Sequence, residues 1–458
     1  MDKSREKFGI VLPIILLSYF MILLDNSIIF TSTVKIAADL QLNSQTLAWV
    51  SSAYTLTFGG FQLFGGRMGD VYGRKRVFLI GLLLFSFCSL MVGLSTNAVM
   101  IISMRAFQGI GSAILAPTTL ALLLDNYQGT MRTRAIAAYG ATAGIGASFG
   151  LVLGGVIASV FSWRYGFFLN VPVGLLMFFL TLHFIEDNEG KSLIEDNEGK
   201  SRNHLDIAGT LLSVLGLSAL VYSIDGTSHQ VLALIIAVIA LSLFVYVERV
   251  VSSPIMPLRL FTDWQRSSAY IARFFFIGAA FAYFFVTPQA LQHIYGFTPL
   301  LAGLAFLPAT IPQFISALQV SRLSIKFGNA RLIIAAIVFV IVGVLMTVFL
   351  GMNQGYWIAV AIPMVVFGIG QGLALSPLTV EGVANTDPEI AGAASGVVNT
   401  VHQFGQSVGM SVVIALTSGV HNWSTSYREQ LLIIAVIAGM SLIAALVLQG
   451  SQSRQQSR

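Results

Sequence analysis

The sequence predicts an all-α polytopic membrane protein. Of its 458 residues, 56% are hydrophobic and only 10% are charged, whereas a soluble domain carries about 25% charged residues. The same composition excludes a disordered chain, because disorder requires low hydrophobicity and high net charge. The single cysteine, Cys88, excludes an intramolecular disulfide and a cysteine-rich metal site.

Fourteen segments are long and apolar enough to cross a membrane, which takes about 20 residues each. Six of them precede a polar segment, two follow it, and six complete the chain. The predicted spans are 9–32, 45–66, 77–96, 98–124, 134–160, 166–184, 206–225, 230–248, 268–292, 299–321, 331–350, 355–379, 391–418 and 429–448.

This order predicts two six-helix bundles with an inserted helix pair. The loop after the second span and the loop after the span at 299–321 share three aligned residues, which indicates that the bundles are related and that a site lies at their interface. The aligned pairs are Arg67 with Arg322, Gly73 with Gly328, and Arg76 with Arg331. The expected domains are 1–184 (N-terminal bundle), 185–205 (acidic cytoplasmic linker), 206–248 (inserted pair), 249–267 (cytoplasmic linker), 268–449 (C-terminal bundle) and 450–458 (cytoplasmic tail).

The basic residues predict the orientation. With both termini in the cytoplasm, 20 of the 25 Lys and Arg residues fall in cytoplasmic segments, as the positive-inside rule requires. The net charge of +5 is therefore a signal of topology and not of nucleic-acid binding. We expect a multi-pass protein of the cell membrane.

Asp25 and Arg105 are the strongest candidates for function. Asp25 lies ten residues before Lys35, about 15 Å along a helix and near mid-membrane. A carboxylate at that depth is a functional hypothesis by default, and it could exchange protons. Its alternative role is structural, with hydrogen bonds to neighbours such as Asn26. Arg105 is the natural counter-charge, unless its side chain reaches the outer surface.

Other polar residues within spans are weaker candidates for the coupling or substrate site, because each is more often a packing contact. They are Gln62, Asn170, Gln289, Gln371 and His402. The six histidines show no metal-ligand spacing, and neither Gly-Lys-Ser run of the linker has the glycine spacing of a phosphate loop. We therefore expect no enzyme activity, no metal and no cofactor, with transport energy drawn from a gradient.

Two further features suggest moving parts. Asp70 lies in a basic loop and could pair with it, or cap the helix that starts near Ala391, and so latch a cytoplasmic gate. The alternative is an exposed ion pair of little value. The other latch residues are Arg67, Gly73, Arg74 and Lys75. A glycine-rich helix carrying Gly146, Gly150, Gly154 and Gly155 suits either a pivot or ordinary tight packing.

Several motifs together resemble the major facilitator superfamily, and within it the fourteen-helix drug:proton antiporters, which include quaternary-ammonium and multidrug exporters. The motifs are GRMGDVYGRKR at 66–76, RAFQGIG at 105–111, LDNSII at 24–29, WRYGFFLNVPVG at 163–174 and GAASGVVNT at 392–400. One departure is Leu151, where the antiporter motif has Pro.

The resemblance implies a major facilitator fold and a proton-coupled antiporter that works by alternating access. Asp25 would carry the proton or cation, Arg105 would tune it, and Asp70 with its basic neighbours would form the latch. The expected substrates are amphipathic drug-like compounds, in particular lipophilic cations, and the expected partners are protons and the lipid bilayer, with the protein a monomer. Two alternatives remain open: a transporter of one physiological solute, such as a lipid precursor or metabolite, and a non-transporting membrane sensor.

Overall fold

The computed structural model describes residues 8–185, 206–226, 228–251, 254–386 and 390–456, and the regular structure among them is helical. The first bundle comprises α1 (Val11–Leu40), α2 (Ser44–Tyr72), α3 (Arg74–Gly93), α4 (Ala98–Asn126), α5 (Gly129–Val160), α6 (Trp163–Phe168) and α7 (Asn170–Phe184). The inserted pair is α8 (Ile207–Asp225) and α9 (Gln230–Val250). The second bundle comprises α10 (Trp264–Tyr295), α11 (Pro299–Leu304), α12 (Leu307–Phe327), α13 (Asn329–Leu350), α14 (Ile362–Gly382), α15 (Ala391–Thr417) and α16 (Trp423–Gln456).

Eleven helices in the described ranges are long and apolar enough to span a membrane. The predicted spans at 45–66, 134–160 and 391–418 are not among them. The first and last of these coincide with α2 and α15, which pack on each other across the bundle interface, and a helix face that meets protein needs less hydrophobicity than one that meets lipid. The span at 134–160 coincides with α5, several of whose side chains lie outside the described residues, and the apolar stretch described there is Phe149–Val160. The exact count of fourteen spans stays a prediction.

The helices depart from the expected domain bounds at two places. Helix α10 begins at Trp264, inside the linker expected at 249–267, and Leu258–Phe261 forms a short 3-10 helix there. Helix α16 continues to Gln456, where a tail was expected from 450. Nearly all of the acidic linker, 186–205, lies outside the described residues.

The aligned glycines of the two bundles occupy equivalent turns. Gly73 separates α2 from α3 with φ of 92°, and Gly328 separates α12 from α13 with φ of 80°. Only glycine adopts such angles readily. The sequence echo between the bundles therefore corresponds to a repeated backbone turn.

We call the side at which α1 begins the N-side and the opposite side the far side. Contacts between α1 or α5 and the second bundle lie on the far side of the helix midpoints. Phe30 meets Phe281 edge to face at 5.2 Å, and the Leu300 amide donates to Oγ of Ser159 at 2.8 Å. Gly155 packs against the Pro299 carbonyl. The two bundles are thus joined across the far side.

Helices α2 and α15 form a second seam between the bundles. The Thr400 hydroxyl donates to the Gly59 carbonyl at 3.2 Å, and the hydroxyls of Thr55 and Ser407 are hydrogen-bonded. Helix α8 packs on both α2 and α15, so the inserted pair covers this seam.

Candidate functional site

Asp25 and Arg105 form an ion pair inside the first bundle. Oδ2 of Asp25, on α1, lies 2.5 Å from Nη1 of Arg105, on α4. Each residue is only 1% exposed. The structure therefore brings together the two charges that the sequence singled out. It excludes the alternative in which the Arg105 side chain reaches the membrane surface.

Two side-chain amides hold the pair in place. Oδ1 of Asp25 accepts from Nε2 of Gln108 and from Nδ2 of Asn170, each at 2.9 Å. Oε1 of Gln108 accepts from Nη1 of Arg105 at 2.7 Å, and the Val50 carbonyl accepts from its Nε at 3.2 Å. Both oxygens of the carboxylate are thus hydrogen-bonded, as a buried charge requires.

Aromatic rings enclose the guanidinium of Arg105. Its central carbon lies 4.1 Å from the ring centroid of Tyr54 and 5.7 Å from that of Phe167, within reach of cation–π attraction. The Tyr54 hydroxyl is in turn hydrogen-bonded to Ser112 at 2.6 Å. The pair therefore lies in an apolar, ordered shell, where electrostatic attraction is stronger than in water.

A break between α6 and α7 positions Asn170. Its Nδ2 also lies 2.9 Å from Oγ of Ser89, whose hydroxyl donates to the Phe167 carbonyl at 2.9 Å. Asn170 is the first residue of α7, after the interruption at Leu169. The helix is thus interrupted where the Asn170 side chain can reach Asp25.

Four other candidates do not join this cluster. Gln62 lies half-buried on α2 with Oε1 lacking a hydrogen-bond partner, and Gln371, on α14, has an unpartnered Nε2. Gln289 donates to the Phe285 carbonyl of its own helix at 2.8 Å. His402, on α15, contacts Arg273 of the second bundle.

The sequence reasoning missed three groups of this site. Gln108 could have been predicted from the sequence, because it follows Arg105 by three residues and so lies on the same face of the helix. Tyr54 and Ser89 could not, because their contacts depend on how α2, α3 and α4 pack.

The latch residues lie on the N-side. Arg74 forms a partly exposed ion pair with Asp125, and Nζ of Lys75 donates to the Leu182 carbonyl at 3.3 Å. Arg67 makes contacts of its own, and Gly73 forms the turn between α2 and α3. The side chain of Asp70 lies outside the described residues, so the latch stays a prediction.

The four pivot glycines face two different partners. Gly146, Gly150 and Gly154 pack on α1, where an added Cβ would lie 2.5–2.9 Å from the nearest atoms. Gly155 faces α11 across the bundle interface, 2.6 Å from the Pro299 carbonyl oxygen by the same measure. The helix thus contacts both bundles at close range, and its role as a pivot stays a prediction.

Comparison with known proteins decides the family. Residues 15–410 match the Major Facilitator Superfamily. The chain belongs to this superfamily. It is 33% identical over 416 residues to the cephamycin export protein CmcT of Amycolatopsis lactamdurans, covering 87% of this chain and 83% of that protein. It is 30% identical to the puromycin resistance protein pur8 of Streptomyces alboniger, covering 91% and 82%.

The solved structures agree on the fold. The nucleoside transporter NupG superposes with a TM-score of 0.64 at 13% identity, covering 97% of this chain and 99% of NupG. This Major Facilitator Superfamily chain is therefore a multi-pass membrane transporter of small molecules and not an enzyme, and its curated relatives include exporters of antibiotics.

Proposed function

We propose that the chain is a proton-coupled antiporter that exports amphipathic drug-like compounds by alternating access. The observation that carries the proposal is the buried Asp25–Arg105 pair in a transporter fold. Intramembrane acids of this kind mark proton relays in transporters. The N-side is then the cytoplasmic face of the cell membrane, the protein acts as a monomer, and the proton gradient is its energy source.

Protonation of Asp25 would remove the charge that holds this site together. The ionised carboxylate is held by Arg105, Gln108 and Asn170. Protonation removes the negative charge and leaves the guanidinium buried without compensation, which is costly in an apolar shell. The helices α1, α4 and α7 that carry these groups would then shift relative to one another. Loss of the proton restores the pair.

The contacts between the bundles support an inward-facing state. They join α1 and α5 to α10 and α11 on the far side, so the compound would enter from the N-side. Opening the far side requires these contacts to part, with α5 sliding at Gly155. The basic segment at 66–76 was expected to be a loop, but it forms the end of α2 and the start of α3, joined at Gly73. With Asp70, it would then latch the N-side closed.

The relatives support export of drug-like compounds. CmcT is named for the export of cephamycin and pur8 for resistance to puromycin. Lipophilic cations are the class that the sequence favoured, and such a cation would compete with Arg105 for Asp25 once the pair opens.

The test uses purified protein in liposomes with an imposed pH gradient and a trapped pH dye. Lipophilic cations and neutral drugs are added in turn, and proton movement is followed. We expect movement with the wild-type protein, its loss in Asp25→Asn, and its retention in Asp39→Asn, since Asp39 is an exposed acid that pairs with Arg164. Unchanged proton-coupled flux in Asp25→Asn would overturn the proposed mechanism.

A further inference from the structure

A buried arginine in the second bundle has no counter-charge among the residues that the structure describes. Arg273, on α10, is 6% exposed, and among the described residues no carboxylate forms an ion pair with it. Its Nη1 donates to Oγ1 of Thr379 at 2.7 Å and to the Leu375 carbonyl at 3.3 Å. Its Nη2 donates to Nδ1 of His402 at 3.2 Å. The three acceptors are neutral, so they satisfy hydrogen bonds and leave the positive charge uncompensated.

The depth of Arg273 makes this charge informative. It lies nine residues from the start of α10, about 14 Å from the N-side end of that helix. A charged side chain at such depth normally pairs with another charge or with backbone carbonyls, and such residues mark substrate or ion pathways. Arg105 in the first bundle pairs with Asp25, which neutralises it. The partners of Arg273 are a carbonyl, a hydroxyl and an imidazole, with no charged group among them in the described part of the chain.

The free edge of the guanidinium fits a carboxylate. Nε of Arg273 is buried with no hydrogen-bond partner. Nε–H and the adjacent Nη2 form a planar fork, whose parallel N–H groups match the two oxygens of a carboxylate. One buried positive charge is balanced by one negative charge, so a monoanionic group suits the site better than a doubly charged one.

His402 and Gln406 complete the polar surface. Because Nδ1 of His402 accepts from Arg273, its Nε2 carries the proton and points at the side-chain amide of Gln406, 3.1 Å away. Gln406 has an unpartnered Oε1 as placed, and turning its amide over would let that oxygen accept. Both side chains are partly exposed, unlike Arg273. A carboxylate would therefore reach the guanidinium by displacing the imidazole from Nη2.

We propose that Arg273, with His402 and Gln406, binds the carboxylate of an amphipathic organic anion that the transporter carries. The inference rests on the proposed function, since it names a substrate class for the same protein. Its residues belong to the second bundle and are separate from the Asp25–Arg105 pair, so the two proposals can fail independently.

The transport test compares three fluorescent compounds that share one body: dansyl-aminohexanoate, its methyl ester, and the dansyl diamine of the same length. Efflux is measured from liposomes with an imposed pH gradient.

We expect Arg273→Gln to lower the ratio of acid to ester transport about tenfold, the effect of one lost charge-assisted hydrogen bond. Arg273→Lys keeps the positive charge and loses the planar fork of N–H groups. Its ratio of acid to ester transport should lie between those of the wild-type protein and Arg273→Gln. Arg322→Gln, at an exposed arginine of α12, is the control. An equal loss for acid and ester would show a structural role and overturn the inference.

A binding test separates the two proposals. Thermal unfolding of the purified protein in detergent is measured with the dansyl acid, chloride or inorganic phosphate. We expect stabilisation by the acid alone, and its loss in Arg273→Gln. Equal stabilisation by chloride or phosphate would overturn the carboxylate assignment. Transport of the ester and amine without binding of the acid would refute this inference and leave the exporter intact. Binding of the acid without flux of any compound would refute the exporter and leave this site.

Discussion

The indole N–H of Trp49 donates a hydrogen bond to Oδ1 of Asp225 at 3.0 Å and joins α2 to the last residue of α8. The other carboxylate oxygen accepts from Ser411, on α15, at 2.6 Å. Asp225 is 1% exposed. One buried carboxylate therefore ties the inserted helix pair to both bundles at the far side.

Replacing Trp49 with Phe should destabilise the protein. The buried carboxylate of Asp225 would lose one of its two side-chain donors, which costs about 1–3 kcal/mol. The measurement is the thermal unfolding temperature in detergent. Trp357→Phe is the control, because Trp357 is 73% exposed on the helical surface. Equal unfolding temperatures for the two variants would contradict an energetic role for this contact.

A double-mutant cycle on Asp25 and Arg105 should show strong coupling. Asp25→Asn leaves a buried guanidinium without its counter-charge, and breaking such a pair costs about 3–5 kcal/mol. Combining it with Arg105→Gln removes the second charge, so the double variant should lose less stability than the two single losses added together. Unfolding of the four proteins in detergent gives the coupling. Additive losses would mean that the pair contributes nothing as a pair.

Changing Gln108 to Leu should impair transport while the protein still folds. Gln108 contacts both members of the ion pair, and Leu has similar bulk without the polar atoms. We expect proton-coupled flux to fall at least tenfold, since the side chains of Asp25 and Arg105 would no longer be held in their paired geometry. Gln354→Leu, at an exposed glutamine, is the matched control. Wild-type flux in Gln108→Leu would show that the amide is dispensable.

Adding a methyl group at Gly155 should open the far side. In Gly155→Ala the new Cβ would meet the Pro299 carbonyl oxygen at 2.6 Å, closer than real Cβ contacts. A reporter cysteine at Ser159, in a Cys88→Ser background, should react faster with an impermeant maleimide applied from the far side. Gly439→Ala, whose Cβ meets open space, is the control. No change in labelling rate would argue against tight closure at this contact.

The sequence indicated the helices and the central charge pair for the same reason. The free energy of placing a side chain in lipid is a local property, so apolar runs predict spans, and Asp25 and Arg105 stand out as residues that must be compensated. The repeated glycine turn at Gly73 and Gly328 was also readable, because positive φ angles favour one residue type.

The contacts between helices could not be predicted from the sequence in this way. Gln62, Gln289 and Gln371 looked similar to Asn170 in the sequence, yet only Asn170 reaches Asp25, because the break before α7 places it there. A mid-span amide can bond to its own helix, as Gln289 does, so its residue type does not specify its partner.

What the sequence alone determined is the membrane class, the approximate spans and the two buried charges that need compensation, Asp25 and Arg105, since these follow from hydropathy and from the cost of buried charge. The tertiary structure alone decided that the acceptors of Arg273 among the described residues are neutral and that Asp225 joins both bundles. The reason is physical: the partners of a buried charge come from distant parts of the chain, as Asp225 and Ser411 show across 186 positions, and helix packing decides which side chains come within hydrogen-bond distance.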